Sequence, residues 1–288
     1  MILGLEPRLR AADSLVGVLP RRALPPLFAA AACALAAVVV WLTAYHLSPF
    51  EAIDERTFDG FLGLSRPATA GWAEQFSHLA DPGPFAMFAA ALVGVALVRQ
   101  RLLTAAVVAV ILVGSNVSTQ LLKPALAKPE VFPGIATATW PSGHATAAMA
   151  LVLCLLLVVP LRLRPAAGAF GGLFALAVDY SILILGSHEP SDILGGFLMA
   201  GAWTGLGVAA LRALAPEPGS ALRPTATLLP AGLTAVALAV AASVLALSHW
   251  QGTLDYAAAH TTFLVGAAVI TLGAMGMSTA AALALTRP

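Results

Sequence analysis

The stretch Pro141-Ser142-Gly143-His144-Ala145-Thr146-Ala147-Ala148-Met149-Ala150-Leu151-Val152-Leu153-Cys154-Leu155-Leu156-Leu157-Val158-Val159-Pro160 decides how this chain folds. Its first four residues close a polar loop, and an unbroken apolar run follows up to Pro160. A run of about 20 apolar residues matches the hydrocarbon thickness of a bilayer, and with no period-two alternation it reads as helix. Pro141 suits the first turn of that helix. Gly143 permits close approach of a ligand, and unpaired amide N–H groups at a helix N-terminus attract anions. His144 then lies at the mouth of a membrane helix, where it is either an interfacial side chain or a proton donor to a leaving oxygen.

The rest of the chain agrees with a membrane reading. Of 288 residues 59% are hydrophobic and 10% charged, against roughly 25% charged in soluble domains, and the mean hydropathy is +0.90. The formal net charge of +1 points to no nucleic acid. Cys33 and Cys154 lie in apolar runs and read as small hydrophobes rather than a disulfide. No cluster has zinc-ligand spacing, and neither a metal nor another cofactor is expected. Eight spans are expected, near 25–47, 83–99, 102–122, 141–160, 166–186, 191–213, 225–248 and 257–284. The fold class is therefore all-α, a polytopic membrane bundle. The apolar run after Arg21 and Arg22 is longer than the h-region of a signal peptide and reads as a retained first span.

Orientation follows from the Lys/Arg bias. Arg8, Arg10, Arg21, Arg22, Arg99, Arg101, Arg162, Arg164, Arg212, Arg223 and Arg287 fall on one set of ends, and only Arg56, Arg66, Lys123 and Lys128 on the other. The expectation is an inner-membrane protein with both termini cytoplasmic. Lys123, His144 and His188 then face the periplasm. Residues 49–82 are too polar to span; Phe50, Ile53, Phe58, Phe61 and Leu62, then Trp72, Phe76 and Leu79, fall near helical spacing. They fit two helices lying in the interface, or an ordinary loop. Gly168 with Gly172 and Gly201 with Gly205 permit close helix contact.

A second polar mouth occurs at Gly186-Ser187-His188-Glu189-Pro190-Ser191-Asp192. A carboxylate bonded to one ring nitrogen of His188 would fix the tautomer and leave the other nitrogen nucleophilic. The spacing of Asp192 permits this in a tight turn. Asp179 lies within a span, where a carboxylate is expensive and normally paired; Lys123 and His144 are its candidate partners. It is either part of a rebuilt polar site or a helix–helix hydrogen bond.

Together these residues resemble the type 2 phosphatidic acid phosphatase superfamily, which includes membrane lipid phosphatases and vanadium haloperoxidases. Its signature is Lys, six residues, Arg-Pro; then Pro-Ser-Gly-His; then Ser-Arg, five residues, His, three residues, Asp. Pro141-Ser142-Gly143-His144 is intact, Ser181, His188 and Asp192 keep their spacing, and Lys123 keeps the first position. The resemblance covers roughly residues 45–210. Two family arginines are missing: Ile182 follows Ser181, and Glu130-Val131 stands where Arg-Pro belongs, although Lys128-Pro129 is a near substitute. Lys is a point charge rather than a bidentate fork.

The resemblance implies a six-helix lipid-phosphatase core at 25–214, preceded by a cytoplasmic segment at 1–24. A C-terminal helix pair at 215–288 is read as an appendage. It implies that His188 attacks phosphorus, Asp192 orients it and His144 protonates the leaving group. Lys123, Lys128, Ser142, Gly143 and Ser181 would hold phosphoryl oxygens without a metal. Asp179, Glu130 and Glu189 are candidate residues of a modified site. The implied activity is a lipid-phosphate phosphatase or phosphotransferase, its partners being the bilayer and a polyprenyl or glycerolipid phosphate. The alternatives are a lipid-linked transferase using a less charged phosphodiester donor, a non-catalytic lipid-binding or assembly protein on that scaffold, and a transporter with Asp179 in a proton relay.

Overall fold

Apolar runs bounded by proline, glycine and arginine become helices with few residues between them. The computed structural model describes residues 20–126, 139–214 and 250–285. The expected span 225–248, most of the N-terminal segment, Lys128 and Glu130 lie outside the described residues. Among the described residues the helices are α1 (Leu24–His46), α2 (Ser48–Leu62), α3 (Pro67–Ser77), α4 (Pro82–Val98), α5 (Leu102–Leu122), α6 (Gly143–Val158), α7 (Arg164–Ile184), α8 (Pro190–Leu214), α9 (Trp250–Ala259) and α10 (Thr261–Ala284). No strand occurs among them. Pro sits in the first turn of α1, α2, α3, α4 and α7, where its missing N–H costs nothing.

Five described helices are long and apolar enough to cross a bilayer, and a sixth crossing exists if α3 and α4, bent by 50° at Asp81, are taken as one broken span. The protein is an integral membrane protein with an all-α fold. Segment 49–82 is helical as the spacing suggests, in two pieces with a short 3-10 turn at His78–Ala80. The expected last span is shorter than the sequence suggested. It begins at Thr261, because the chain breaks at His260 (φ −126°, ψ 53°) and α9 forms a separate helix. The break is held by Tyr256: its ring stacks on His260 at 4.1 Å and its hydroxyl donates to the Gly60 carbonyl of α2.

Helix α6 is the centre of the bundle, in contact with α4, α5, α7, α8 and α10. From Ala145 to Val158 every residue except Leu155 is buried. A helix apolar all round belongs in an interior. Both of its ends are tied by named groups. At the start, the Ser142 hydroxyl accepts from Ala145 N–H at 3.3 Å and the Thr146 hydroxyl donates to the Ser142 carbonyl at 2.7 Å. At the far end the last carbonyls lack intrahelical donors. Arg99 Nη1 donates to Val158 O at 2.6 Å, Arg101 Nη1 to Leu157 O at 3.0 Å and Arg164 Nε to Leu156 O at 2.9 Å. A cation at a helix C-terminus contributes about 0.3–1 kcal/mol each.

Small residues set the remaining contacts. Gly168 and Gly172 of α7 face Ser278, Ala282 and Met275 of α10, while Gly201 and Gly205 of α8 face Cys33, Ala30 and Pro26 of α1. A Cβ on Gly205 would lie 2.8 Å from the Pro26 carbonyl, so two backbones meet there as the spacing suggested. Helix α10 also packs against α2 and α8, with Phe263 in edge contact with Phe61 at 4.9 Å. Among the described residues, this helix is built into the core.

Candidate active site

The starts of α6 and α8 are tied together by backbone before any side chain is considered. Ser142 N–H donates to the Asp192 carbonyl at 2.9 Å. Gly196, one turn along α8, allows this approach: a Cβ there would lie 2.9 Å from the Ser142 carbonyl and 2.8 Å from Ala145 Cβ. Trp140 is buried against Gly195 on the same face. The loop that carries His144 is thereby fixed to the turn that carries His188.

His188 is 9% exposed and its Nδ1–H donates to Asp192 Oδ2 at 3.1 Å. Glu189 N–H donates to the same oxygen at 3.0 Å, and the Tyr45 hydroxyl donates to Oδ1 at 2.8 Å. Asp192 is fully buried and fully engaged as an acceptor. This pins the His188 tautomer and leaves Nε2 with its lone pair. Tyr45 also bonds the Thr139 hydroxyl at 3.2 Å, linking α1 to the loop before Trp140.

The rings of His144 and His188 are 6.4 Å apart, centroid to centroid. His144 is one-third exposed, and its Nε2–H donates to Asp81 Oδ1 at 3.0 Å. Asp81, in the bend between α3 and α4, accepts from His78 Nδ1–H at 2.7 Å through its other oxygen. These bonds, that to His144 first, hold the Asp81 carboxyl below its ordinary range. Two histidine–carboxylate pairs therefore face each other across one site.

Lys123 ends α5 beside them. A Cβ on Gly143 would lie 3.9 Å from Lys123 Nζ and 3.1 Å from Gln120 Nε2. Burial lowers the Lys123 pKa, opposed by the charge of Asp192. Beneath the turn, Asp54 of α2 accepts from Ser191 N–H at 2.9 Å and from the Ser191 hydroxyl at 2.5 Å, capping α8 from a distant helix. Burial pushes the Asp54 carboxyl up to about 7, with the charges of Glu189 and Asp192 adding to it.

The other sequence candidates fall in different surroundings. The Ser142 hydroxyl caps α6 and is fully buried. The Ser181 hydroxyl donates to Ala177 O of its own helix at 2.5 Å. Glu189 contributes its backbone N–H to Asp192. Asp179 is not paired with Lys123 or His144, contrary to expectation: both its oxygens are buried without a hydrogen-bond partner. It sits five residues before the end of α7, inside the core rather than at its mouth. Ile182 is 1% exposed within the apolar core and supplies no charge. Among the described residues no group of three or more His, Cys, Asp or Glu is arranged to hold a metal ion. Sequence reasoning missed Asp81, His78, Tyr45, Asp54 and Gln120. The polar Asp81 at a helix start was visible, but nothing local assigned it to His144.

A family model described as PAP2 superfamily matches residues 29–215. The chain belongs to the PAP2 superfamily. The matched segment runs from within α1 to just past the end of α8. No curated protein matches the chain. A similar solved structure is the crystal structure of the first transmembrane PAP2 type phosphatidylglycerolphosphate phosphatase from Bacillus subtilis. It aligns with TM-score 0.55 at 16% identity, covering 66% of this chain and 100% of that one. At that identity the likeness concerns the PAP2 fold.

Proposed function

We propose that this PAP2 protein is a lipid-phosphate phosphatase or phosphotransferase that works through a phosphohistidine at the periplasmic face of the inner membrane. The observation that carries the reading is the pair of facing rings: His188 with Nδ1 engaged by Asp192, and His144 6.4 Å away with Nε2 engaged by Asp81. His188 Nε2 attacks phosphorus and the bond from phosphorus to the leaving oxygen breaks. His144 gives that oxygen its proton, and the anionic Asp81 stabilises the ring while it holds the proton. In the second half, His144 takes a proton from water or another acceptor as its oxygen attacks the phosphohistidine. The N–P bond breaks, and both rings return to their starting states. Lys123 and the free amides at the start of α6 neutralise phosphoryl oxygens. The Arg-rich ends at the opposite side of the bundle support the periplasmic assignment.

A second reading follows from charge. Ile182 is apolar where the family places Arg, while Asp54, Asp81 and Asp192 gather around the site. Such surroundings suit a phosphodiester donor better than a phosphomonoester dianion, and the product would then be a transferred phosphoryl headgroup.

The test is turnover by the purified full-length protein in detergent with phosphatidate, a polyprenyl diphosphate and a glycerolipid phosphodiester. Phosphate release from the first two supports hydrolysis of monoesters; headgroup transfer from the third supports the second reading. His188→Ala is expected to abolish either activity and an acid-labile phospho-intermediate with it. Wild-type rates in His188→Ala would refute the mechanism.

A further inference from the structure

The end of α6 remote from His144 borders a cleft of about 410 Å³, within the range of small-ligand sites. It is lined by Arg99, Arg101, Arg162, Arg164 and the turn Val159–Leu161. The guanidiniums come from separate places: the end of α4, the start of α5, a 3-10 turn and the first residue of α7. Among the described residues no carboxylate lines the cleft. The carbonyls of α6 engage Arg99 and Arg101 through Nη1 alone, and Arg164 reaches Leu156 O through Nε and Leu285 O through Nη1. Each guanidinium carries five N–H donors, more than these carbonyls use.

A preference for arginine on one side of a membrane explains the sign of this charge. It does not explain why four side chains converge on one cleft, or why Arg164 among them is only 9% exposed. Burial, with the like charge of Arg99 beside it, holds the Arg101 pKa below its ordinary value. An anion in the cleft would relieve that repulsion, and planar forks match phosphoryl oxygens bidentately. Apolar residues share the lining: Val159, Pro160 and Leu161 lie among the arginines, and Leu161 is 37% exposed. A ligand with phosphoryl oxygens for the arginines and hydrocarbon for these apolar residues is a lipid rather than a free ion.

We infer that this cleft binds the phosphoryl headgroup of an anionic phospholipid from the leaflet opposite the histidine site. Basic pockets among membrane helices recognise such headgroups. The inference is independent of the proposed catalysis: α5, about 31 Å long, separates Arg101 from Lys123.

The experiment is thermal unfolding of the full-length protein in detergent, titrated with phosphatidylglycerol, phosphatidylcholine or inorganic phosphate. Phosphatidylglycerol is expected to raise the midpoint saturably and phosphatidylcholine to leave it unchanged. Arg99→Gln combined with Arg162→Gln should demand about thirtyfold more phosphatidylglycerol for the same rise, while His188→Ala keeps the wild-type response. Arg162→Glu alone, at an exposed side chain, should weaken the response in the same direction without touching the α6 carbonyls. An equal rise with phosphatidylcholine overturns the inference. So does a phosphatidylglycerol response unchanged in the arginine variants. A rise with inorganic phosphate alone, lost in the double variant, overturns the lipid assignment and makes the cleft a site for soluble phosphate.

Discussion

Asp81 does for His144 what Asp192 does for His188, with one difference. Asp192 is fully buried and accepts from three donors, whereas Asp81 is 38% exposed and shared with His78. In the proposed mechanism the nucleophile His188 is therefore paired with a buried carboxylate and the acid His144 with a solvent-exposed one. Removing the Asp81 charge leaves His144 in place but without its counter-charge. Asp81→Asn is expected to lower kcat by about 10–100-fold with KM little changed, and to move the alkaline limb of the pH–rate profile to lower pH. A uniform loss at all pH values would assign Asp81 to folding only. Lys123→Met removes the cation nearest Gly143; KM for a phosphomonoester should rise about tenfold or more, read by steady-state kinetics. The pairing of His188 with Asp192 was legible because four residues in a turn bring the two groups together. Asp81 was not, since its bond to His144 joins residues 63 apart and depends on how α4 enters the bundle.

Between elements, glycine decides the distances. Gly196 and Gly205 are both on α8, and both allow backbone approach, but they serve different partners. Gly196 faces the start of α6, and Gly205 faces Pro26 and Ala30 of α1. Gly196→Ala should push α6 from α8 and stretch the bond from Ser142 N–H to the Asp192 carbonyl. Activity and thermal stability should fall together, by about 1–3 kcal/mol in stability. Gly205→Ala should cost similar stability while the folded fraction keeps its specific activity. Gly94→Ala, where an added Cβ meets nothing, should leave activity unchanged and stability equal or slightly higher. The glycine spacings at 168/172 and 201/205 foretold close helix pairs. The partners of those pairs could not be read, because a four-residue repeat names a face and not what lies against it. The break at His260 was marked only by the polar triplet His260-Thr261-Thr262 between apolar runs, and the contact of Tyr256 with α2 that accompanies the turn joins residues far apart in the chain.

Over the whole molecule, Asp54 connects the site to global stability. Its carboxyl, at about 7 in the folded state, lies above the roughly 3.9 of an unfolded chain. The folded state therefore binds more protons between those values. Its contribution is fully present below about pH 4, declines as pH rises, and is gone above about pH 7. The melting temperature in detergent should fall across that window, and Asp54→Asn should flatten the fall. The all-α membrane fold was legible throughout, since 59% hydrophobic composition leaves few alternatives in lipid. The site was legible as a list of residues at helix mouths. Its electrostatics were not, because Asp54, Tyr45 and Asp81 reach it from α2, α1 and the bend before α4.

Helix α6 has 16 residues where α5, α7 and α8 have 21 to 25. At 1.5 Å per residue it is about 24 Å long against about 31–37 Å for its neighbours. Centred among those three, a helix this short has its termini several ångströms inward of their ends, each at the bottom of a shallow well. Molecules anchored by hydrocarbon tails already hold their polar groups at that depth, whereas freely dissolved phosphates must shed water to descend. Selection by depth of immersion would then favour amphiphiles over soluble metabolites before any side chain makes contact.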